Sequence, residues 1–236
     1  MQRPYFSLII TTFNEGLVFE SNVRKIVASL DKLKKEWEIV FVEDKSTDNT
    51  KNSVQKLATQ FKNTQAIYHK ANKGRGQSVS DGIKASRGEI CGFVDVDCEI
   101  SPRYIPQFIA QIEKGKDFVV AKRIYEQNFN SFYRVVASKA YSLIVHWLLN
   151  LPLTDTEAGY KFFNRKKILP IIAHVKDERW FWDTEICALS FYKGLKVDEI
   201  PVQFVRRRDK KSTVRLIPDS ASYFLKLIEF RLRKVK

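Results

Sequence analysis

Ile90-Cys91-Gly92-Phe93-Val94-Asp95-Val96-Asp97-Cys98-Glu99 is the stretch on which the reading of this chain turns. Its first five residues are short, apolar and preceded by Arg87-Gly88, the pattern of a buried strand. Side chains alternate along a strand. If extension continues past Val94, Asp95, Asp97 and Glu99 point the same way, three carboxylates where the chain leaves the sheet. Three close like charges repel unless a cation or an arginine sits among them. Oxygen ligands suit a hard divalent ion, Mg2+ or Mn2+, which keeps positions open for water and substrate phosphates. The plainer alternative is a solvated acidic turn capping a helix after Ser101-Pro102.

Toward the N-terminus strands and helices alternate in short units, without an internal sequence repeat. Phe6 to Thr12 reads as a central strand, followed by the loop Thr11-Thr12-Phe13-Asn14-Glu15-Gly16. A helix from about Leu17 to Lys34 then places Val23, Ile26, Val27 and Leu30 on one face. Trp37 to Glu43 is a second strand, ending in Asp44-Lys45-Ser46-Thr47-Asp48-Asn49-Thr50, turn and N-cap residues that open a helix to about Phe61. Ala66 to His69 is a third strand, and Asn72-Lys73-Gly74-Arg75-Gly76-Gln77 leads into a helix to Ser86. Strand and helix in alternation predict an α/β fold with a parallel sheet and right-handed crossovers, whose ligands bind at the carboxyl ends of the strands. Glu15, Glu43, Asp44 and Asp95 fall at such ends.

Toward the C-terminus the pattern is less regular. Asp117 to Ala121 is a strand leading to Lys122-Arg123, and a helix of about Phe132 to Leu149 carries Arg134, Ser138 and Lys139. Asp155-Thr156-Glu157-Ala158-Gly159-Tyr160 is a polar loop before the strand Lys161-Phe162-Phe163. A helix covers about Asp183 to Tyr192, and Val197 to Val205 is a strand running into Arg206-Arg207-Arg208-Asp209-Lys210-Lys211-Ser212-Thr213. An amphipathic helix, about Pro218 to Arg233, closes the chain.

At 236 residues and 44% hydrophobic, with 9 Gly and 7 Pro, the chain suits one large domain without a linker. Its net charge of +14 predicts an anionic partner: nucleotide phosphates, an acidic membrane surface or nucleic acid. No nucleic-acid fold signature or aromatic stacking repeat supports the last. Cys91, Cys98 and Cys187 lack metal-site or disulfide spacing and fit a reducing cytosol, and His69, His146 and His174 are scattered. The N-terminus has no signal-peptide pattern, and the longest apolar stretch, Tyr141 to Leu153, is too short to span a bilayer. The expected protein is soluble or rests on a membrane.

In this order the motifs resemble glycosyltransferase family 2, the GT-A nucleotide-sugar transferases, and within it the dolichol-phosphate mannose synthase and polyprenyl-phosphate glycosyltransferase branch. Ile9-Ile10-Thr11-Thr12-Phe13-Asn14-Glu15 is similar to V-I-P-T-Y-N-E, and Val42-Glu43-Asp44-Lys45-Ser46-Thr47-Asp48-Asn49-Thr50 to V-D-D-G-S-x-D-x-T. Asn72-Lys73-Gly74-Arg75-Gly76 resembles N-x-G-K-G, and Asp95-Val96-Asp97-Cys98-Glu99 resembles D-A-D-x-Q. Asp155 to Tyr160 resembles D-x-x-x-G-F, and Glu199-Ile200-Pro201-Val202 resembles E-V-P-I. The resemblance covers about residues 5 to 215. Thr11, Glu43 and Glu99 replace proline, aspartate and glutamine, which leaves the donor base open and adds one negative charge at the metal site.

The resemblance implies a single GT-A (Rossmann-like) domain over 1–236, with a mixed, mostly parallel sheet flanked by helices. About 5–100 would form the nucleotide-binding half, about 101–215 the acceptor-binding half and about 216–236 the closing helix. It implies that Thr11, Phe13, Glu15, Glu43 and Asp44 surround base and ribose. Asp95, Asp97 and Glu99 would hold Mg2+ or Mn2+ and the diphosphate, with Arg75 and Arg207 closing on the phosphates. Arg123, Arg134 and Ser138 fall where this branch binds the acceptor's phosphate. The implied reaction moves a hexose from a nucleotide-diphospho-sugar, of GDP-mannose or UDP-glucose type, to a polyprenyl or dolichyl phosphate at the cytosolic membrane face, with inversion. A phosphate acceptor is already largely a dianion and needs no base. The catalytic set is then Asp97, Arg123 and Arg134, joined by Asp155 if the acceptor is a saccharide or glycolipid hydroxyl.

Asp183 and Glu185 are other candidate bases, or simply complement a helix dipole; Asp155 equally fits a loop cap. Arg206 to Lys211 fits a solvated charge run or an acidic-lipid site. Tyr141, Trp147 and the leucines around them suit core packing or shallow insertion beside an acceptor lipid. A separate membrane protein receiving the product is a further partner this branch admits. A non-enzymatic nucleic-acid-binding protein is the remaining alternative.

Overall fold

The computed structural model of the protein describes residues 3–125, 143–206 and 216–233, with side chains of the last segment from residue 223. A seven-stranded sheet runs through it, in the order β3 (Thr64–Tyr68), β2 (Trp37–Glu43), β1 (Phe6–Thr12), β4 (Ile90–Val94), β6 (Tyr160–Asn164), β5 (Phe118–Tyr125) and β7 (Val197–Phe204). β1 (Phe6–Thr12), β2 (Trp37–Glu43) and β4 (Ile90–Val94) begin and end where the sequence predicts. They are apolar because both faces are covered. β1 pairs in parallel with β2 and β4, and β2 with β3 (Thr64–Tyr68). α1 (Phe19–Leu30), α2 (Thr50–Gln60) and α3 (Arg75–Ala85) make the crossovers. Val23, Ile26, Val27 and Leu30 form the buried stripe of α1, as their spacing predicts. Short 3-10 turns flank that helix at Gly16–Val18 and Asp31–Leu33.

The second half departs from an all-parallel sheet. β6 (Tyr160–Asn164) runs antiparallel between β4 and β5 (Phe118–Tyr125), and β7 (Val197–Phe204) adds in parallel to β5. Gly92 lies opposite Phe162, whose ring occupies the space a side chain on Gly92 would need: a Cβ there would come 2.9 Å from that ring. The Phe162 ring also stacks on Phe6 at 5.5 Å. The remaining helices are α4 (Ile105–Glu113), the helical residues 143–149 (α5), α6 (Arg165–Ile172), α7 (Trp182–Tyr192) and α8 (Leu216–Leu232).

α6 has no counterpart in the sequence reading. It is eight residues long and contains Pro170, which blurs its period, but Asn164 caps it by accepting the Lys167 N–H at 3.3 Å. α7 is buried nearly throughout, so it has no amphipathic stripe to read. Leu227 and Phe230 seat α8 on the core, where the Phe230 ring meets Tyr192 and Phe181. Among the described residues no helix is long and apolar enough to cross a membrane.

Candidate active site

The carboxyl ends of β1, β2 and β4 form one rim. After β1, Asn14 adopts φ +54° and its side-chain oxygen accepts the Thr47 N–H at 2.8 Å. The backbone N–H of Glu15 donates to Thr50 at 2.9 Å and that of Gly16 to Asp48 at 3.2 Å. The two loops therefore interlock, leaving Phe13 43% exposed as an aromatic face on the rim. Glu43 is buried and accepts the Ser46 N–H. Asp44 is buried too, and accepts the N–H groups of Lys73 and Gly74 at 2.8 Å each. The Asp44 carboxylate also takes a hydrogen bond from His69 Nδ1 at 2.7 Å. Asp44 thus shapes the loop that launches Arg75, and His69, which the sequence reading set aside, supports it.

The acidic segment corrects one expectation. Extension stops at Val94: residues 95–98 turn, with the Cys98 N–H on the Asp95 carbonyl at 3.4 Å and Cys98 at φ +57°. Strand alternation therefore does not aim Asp95, Asp97 and Glu99 in one direction. Among the described residues no three His, Cys, Asp or Glu side chains gather as a metal cage. Asp95 turns toward Arg75, whose Nη2 and Nε reach Asp95 Oδ1 at 2.7 and 3.1 Å. Asp97 accepts the Glu99 N–H at 3.2 Å. The donor set still fits a hard divalent ion. All three carboxylates are partly exposed at the rim, and Mg2+-type sites take one or two carboxylates from protein and the remaining oxygens from phosphates and water.

The 155–160 loop closes the rim. The Asp95 N–H donates to the Gly159 carbonyl at 2.9 Å, and a Cβ on Gly159 would lie 1.8 Å from Asp95 Oδ2 and 2.5 Å from Arg75 Nη2. Only glycine leaves room there. Arg75 continues inward to the buried Asp183, which also binds Lys161, a lysine with no exposed surface. The Arg75 guanidinium lies 5.1 Å from the Phe93 ring and 5.6 Å from Trp180. Burial works against its charge, but Asp183 and Asp95 outweigh burial and raise its proton affinity.

At the other end of the loop, Asp155 holds Arg123 bidentately, Nε at 2.7 Å and Nη2 at 2.9 Å, and accepts the Arg123 N–H at 3.0 Å. Burial pushes the Asp155 carboxyl up, yet Arg123 prevails and holds it below the ordinary value. Glu157, which the sequence reading did not single out, lies between these ends with Oε2 3.6 Å from Arg123 Nη2. Burial, with Asp155 and Asp183 nearby, raises its proton affinity despite Arg123. Glu185 is committed elsewhere: it accepts the N–H groups of Lys176 and Asp177 and pairs with Arg233 at 2.6 Å. Glu199 anchors Thr154 and Lys122. The structure thus brings Arg75, Asp95, Arg123 and Asp155 to one rim. Arg134, Ser138 and Arg207 lie outside the described residues.

A mostly parallel sheet whose acidic turn and paired arginines crowd one carboxyl edge is the architecture of the GT-A glycosyltransferases. The profile of glycosyl transferase family 2 matches residues 7–177, and the chain belongs to that family. It is 26% identical over 210 residues to glycosyltransferase AglD of Haloferax volcanii, covering 87% of this chain and 34% of that protein. It is 26% identical over 225 residues to a dolichyl-phosphate beta-glucosyltransferase of Saccharomyces cerevisiae, covering 86% of this chain and 67% of that one. The chain thus spans about a third of the first relative and about two thirds of the second. Glucosyl-3-phosphoglycerate synthase of Mycobacterium tuberculosis, solved with UDP, superposes with a TM-score of 0.71 at 16% identity over 97% of this chain and 80% of that one. Another structure of that enzyme holds Mn2+, UDP and glucosyl-3-phosphoglycerate, with a TM-score of 0.68 at 16% identity over 96% of this chain and 78% of that one.

Proposed function

We propose that the chain transfers a hexose from a nucleotide-diphospho-sugar to a polyprenyl or dolichyl phosphate, with inversion, at the cytosolic face of a membrane. Among donors of GDP-mannose and UDP-glucose type, the second is supported by the yeast relative's name and the UDP held by the mycobacterial neighbour. The observation that carries the acceptor is the state of the carboxylates. Asp155, Asp183 and Glu185, the bases the sequence offers for a hydroxyl acceptor, are each committed to arginine or lysine. A phosphate acceptor needs none of them.

In this reading residues of about 5–100 bind the donor and those of about 101–215 the acceptor. Thr11, Phe13, Glu15, Glu43 and Asp44 line base and ribose, while the turn carrying Asp95, Asp97 and Glu99 lies at the diphosphate, where one or two of these carboxylates would hold Mg2+ or Mn2+. Bound there, such an ion would supply positive charge to the departing diphosphate. Arg75, expected from the resemblance to close on the phosphates, is tied instead to Asp95 and Asp183 and so orients Asp95, which leaves Arg207 as the arginine that binds the phosphates. Arg123, preorganised by Asp155, works with Arg134 and Ser138 to set the lipid phosphate in line with the anomeric carbon. A phosphate oxygen forms the new bond to that carbon. The bond to the diphosphate breaks on the opposite side, and its electron pair leaves with the nucleoside diphosphate.

Peripheral membrane contact is supported by exposed Leu143, Ile144 and Trp147 on α5 and by Phe224, Leu225, Ile228 and Leu232 on α8. Tyr192 adjoins both helices, donating to the Leu149 carbonyl at 2.7 Å and stacking on Phe230. The product is a lipid-linked hexose that a separate membrane protein then takes up.

The test is transfer from UDP-glucose and GDP-mannose to a short-chain polyprenyl phosphate with Mn2+ or Mg2+, comparing wild type, Asp97→Ala and Arg123→Ala. Lipid-linked glucose formed by wild type and lost in both variants is the expected result. Donor hydrolysis that needs Asp97 but not Arg123, with no lipid product, overturns the acceptor.

A further inference from the structure

Glu157 sits halfway along the loop that joins the two arginine clusters. At one end Asp155 grips Arg123; at the other, Gly159 touches Asp95 and Arg75. In the function proposed above, on which this inference rests, those ends face two anions, the acceptor phosphate and the donor diphosphate. A carboxylate directed at either anion would be repelled. The group that passes between them is neutral and rich in hydroxyls.

The side chain suits such a group. The other carboxylates of this region, Asp155 and Asp183, are sealed by cations. Glu157 keeps 27% of its side chain exposed, and its ion pair with Arg123 is 3.6 Å long, beyond hydrogen-bond reach. Its backbone N–H is tied to Asp155 at 3.3 Å, so the residue is anchored while, among the described residues, no donor takes up its carboxylate oxygens. An ionised carboxylate only accepts, and its two oxygens can take a pair of adjacent hydroxyls at once. Its raised proton affinity agrees with a partly desolvated carboxylate short of donors.

We propose that Glu157 is a sugar-binding residue, accepting hydrogen bonds from two hydroxyls of the hexosyl group being transferred. The loop then carries three tasks in five residues. Asp155 sets the acceptor cation, Glu157 holds the sugar, and Gly159 admits Asp95 and Arg75.

The experiment compares binding of UDP and of UDP-glucose, each with Mn2+, to the full chain and to Glu157→Ala and Glu157→Gln by calorimetry. At about tenfold each, the low end for hydrogen bonds to a charged group, two such bonds make the difference about a hundredfold. Glu157→Ala is expected to bind UDP within twofold of wild type but UDP-glucose about a hundredfold more weakly, with Glu157→Gln between. UDP affinity doubles as the check that the variants are folded. Equal weakening of both ligands would assign Glu157 a purely structural part and overturn the inference. So would unchanged UDP-glucose binding with transfer lost in Glu157→Gln, which would move the residue to the acceptor. Wild type that binds no donor would remove the proposed function and this inference together.

Discussion

The two halves of the rim satisfy their carboxylates by different means. In the first half of the chain the partners are mainly backbone: Asp44 takes N–H groups of residues 73 and 74, Glu43 that of residue 46, and Asp48 those of residues 16 and 50. In the second half each carboxylate also holds a cation from a distant segment: Arg123 on Asp155, Arg75 and Lys161 on Asp183, Arg233 on Glu185 and Lys226 on Asp177. Backbone bonds shape a loop where it stands. Ion pairs bolt one segment to another, and a buried charge that loses its partner is costly. The second half is therefore expected to tolerate substitution less well.

The sharpest way to break that contrast is Asp183→Ala, which leaves Arg75 and Lys161 buried without their shared carboxylate. Unfolding in urea is expected to show a loss of about 3–5 kcal/mol, and a loss below that of Asp44→Asn would refute the contrast. Gly159→Ala comes next. Its methyl group occupies the place of Asp95 Oδ2, and displacing reacting groups by about 1 Å costs on the order of 100-fold in rate. Steady-state transfer should fall by that order, while far-UV circular dichroism is unchanged.

Acid separates the halves more gently. The Asp155 carboxyl is held below its ordinary value when folded, so its contribution is fully present above the unfolded carboxylate range and is lost as pH falls through the lower folded value. Asp155→Asn should flatten the acid limb of a stability–pH curve; a limb as steep as wild type would place the acid sensitivity in other groups. The smallest effect is Trp147→Ala. Its side chain is 82% exposed, so stability should stay within about 0.5 kcal/mol. Retention on anionic vesicles, measured by sedimentation, should drop; unchanged retention would shift the membrane contact to α8.

The same difference explains what was legible. β1, β2 and β4 match residue for residue because a strand buried on both faces is a continuous apolar run bounded by turn residues. The direction of β6 was not legible, since a five-residue strand reads alike both ways. The turn after Val94 was hidden because Cys98 takes a positive φ without being glycine. Asp155 read as a cap or a base because its true partner, Arg123, lies 32 residues away. Glu157 occupies a variable place within a motif and offered no signal. His69 gave one faint cue, its position at the end of a strand facing an acidic loop.

The late arrival of β6 has its own consequence. β4 gains β1 on one side as soon as the first hundred residues have folded, but its other neighbour is residues 160–164. Until they emerge, the nascent chain carries an open apolar edge with Gly92 bare at its centre, a template for another molecule's strand. Synthesis or refolding of this protein thus passes through a window of crowding sensitivity, and closing that window is the work of Phe162.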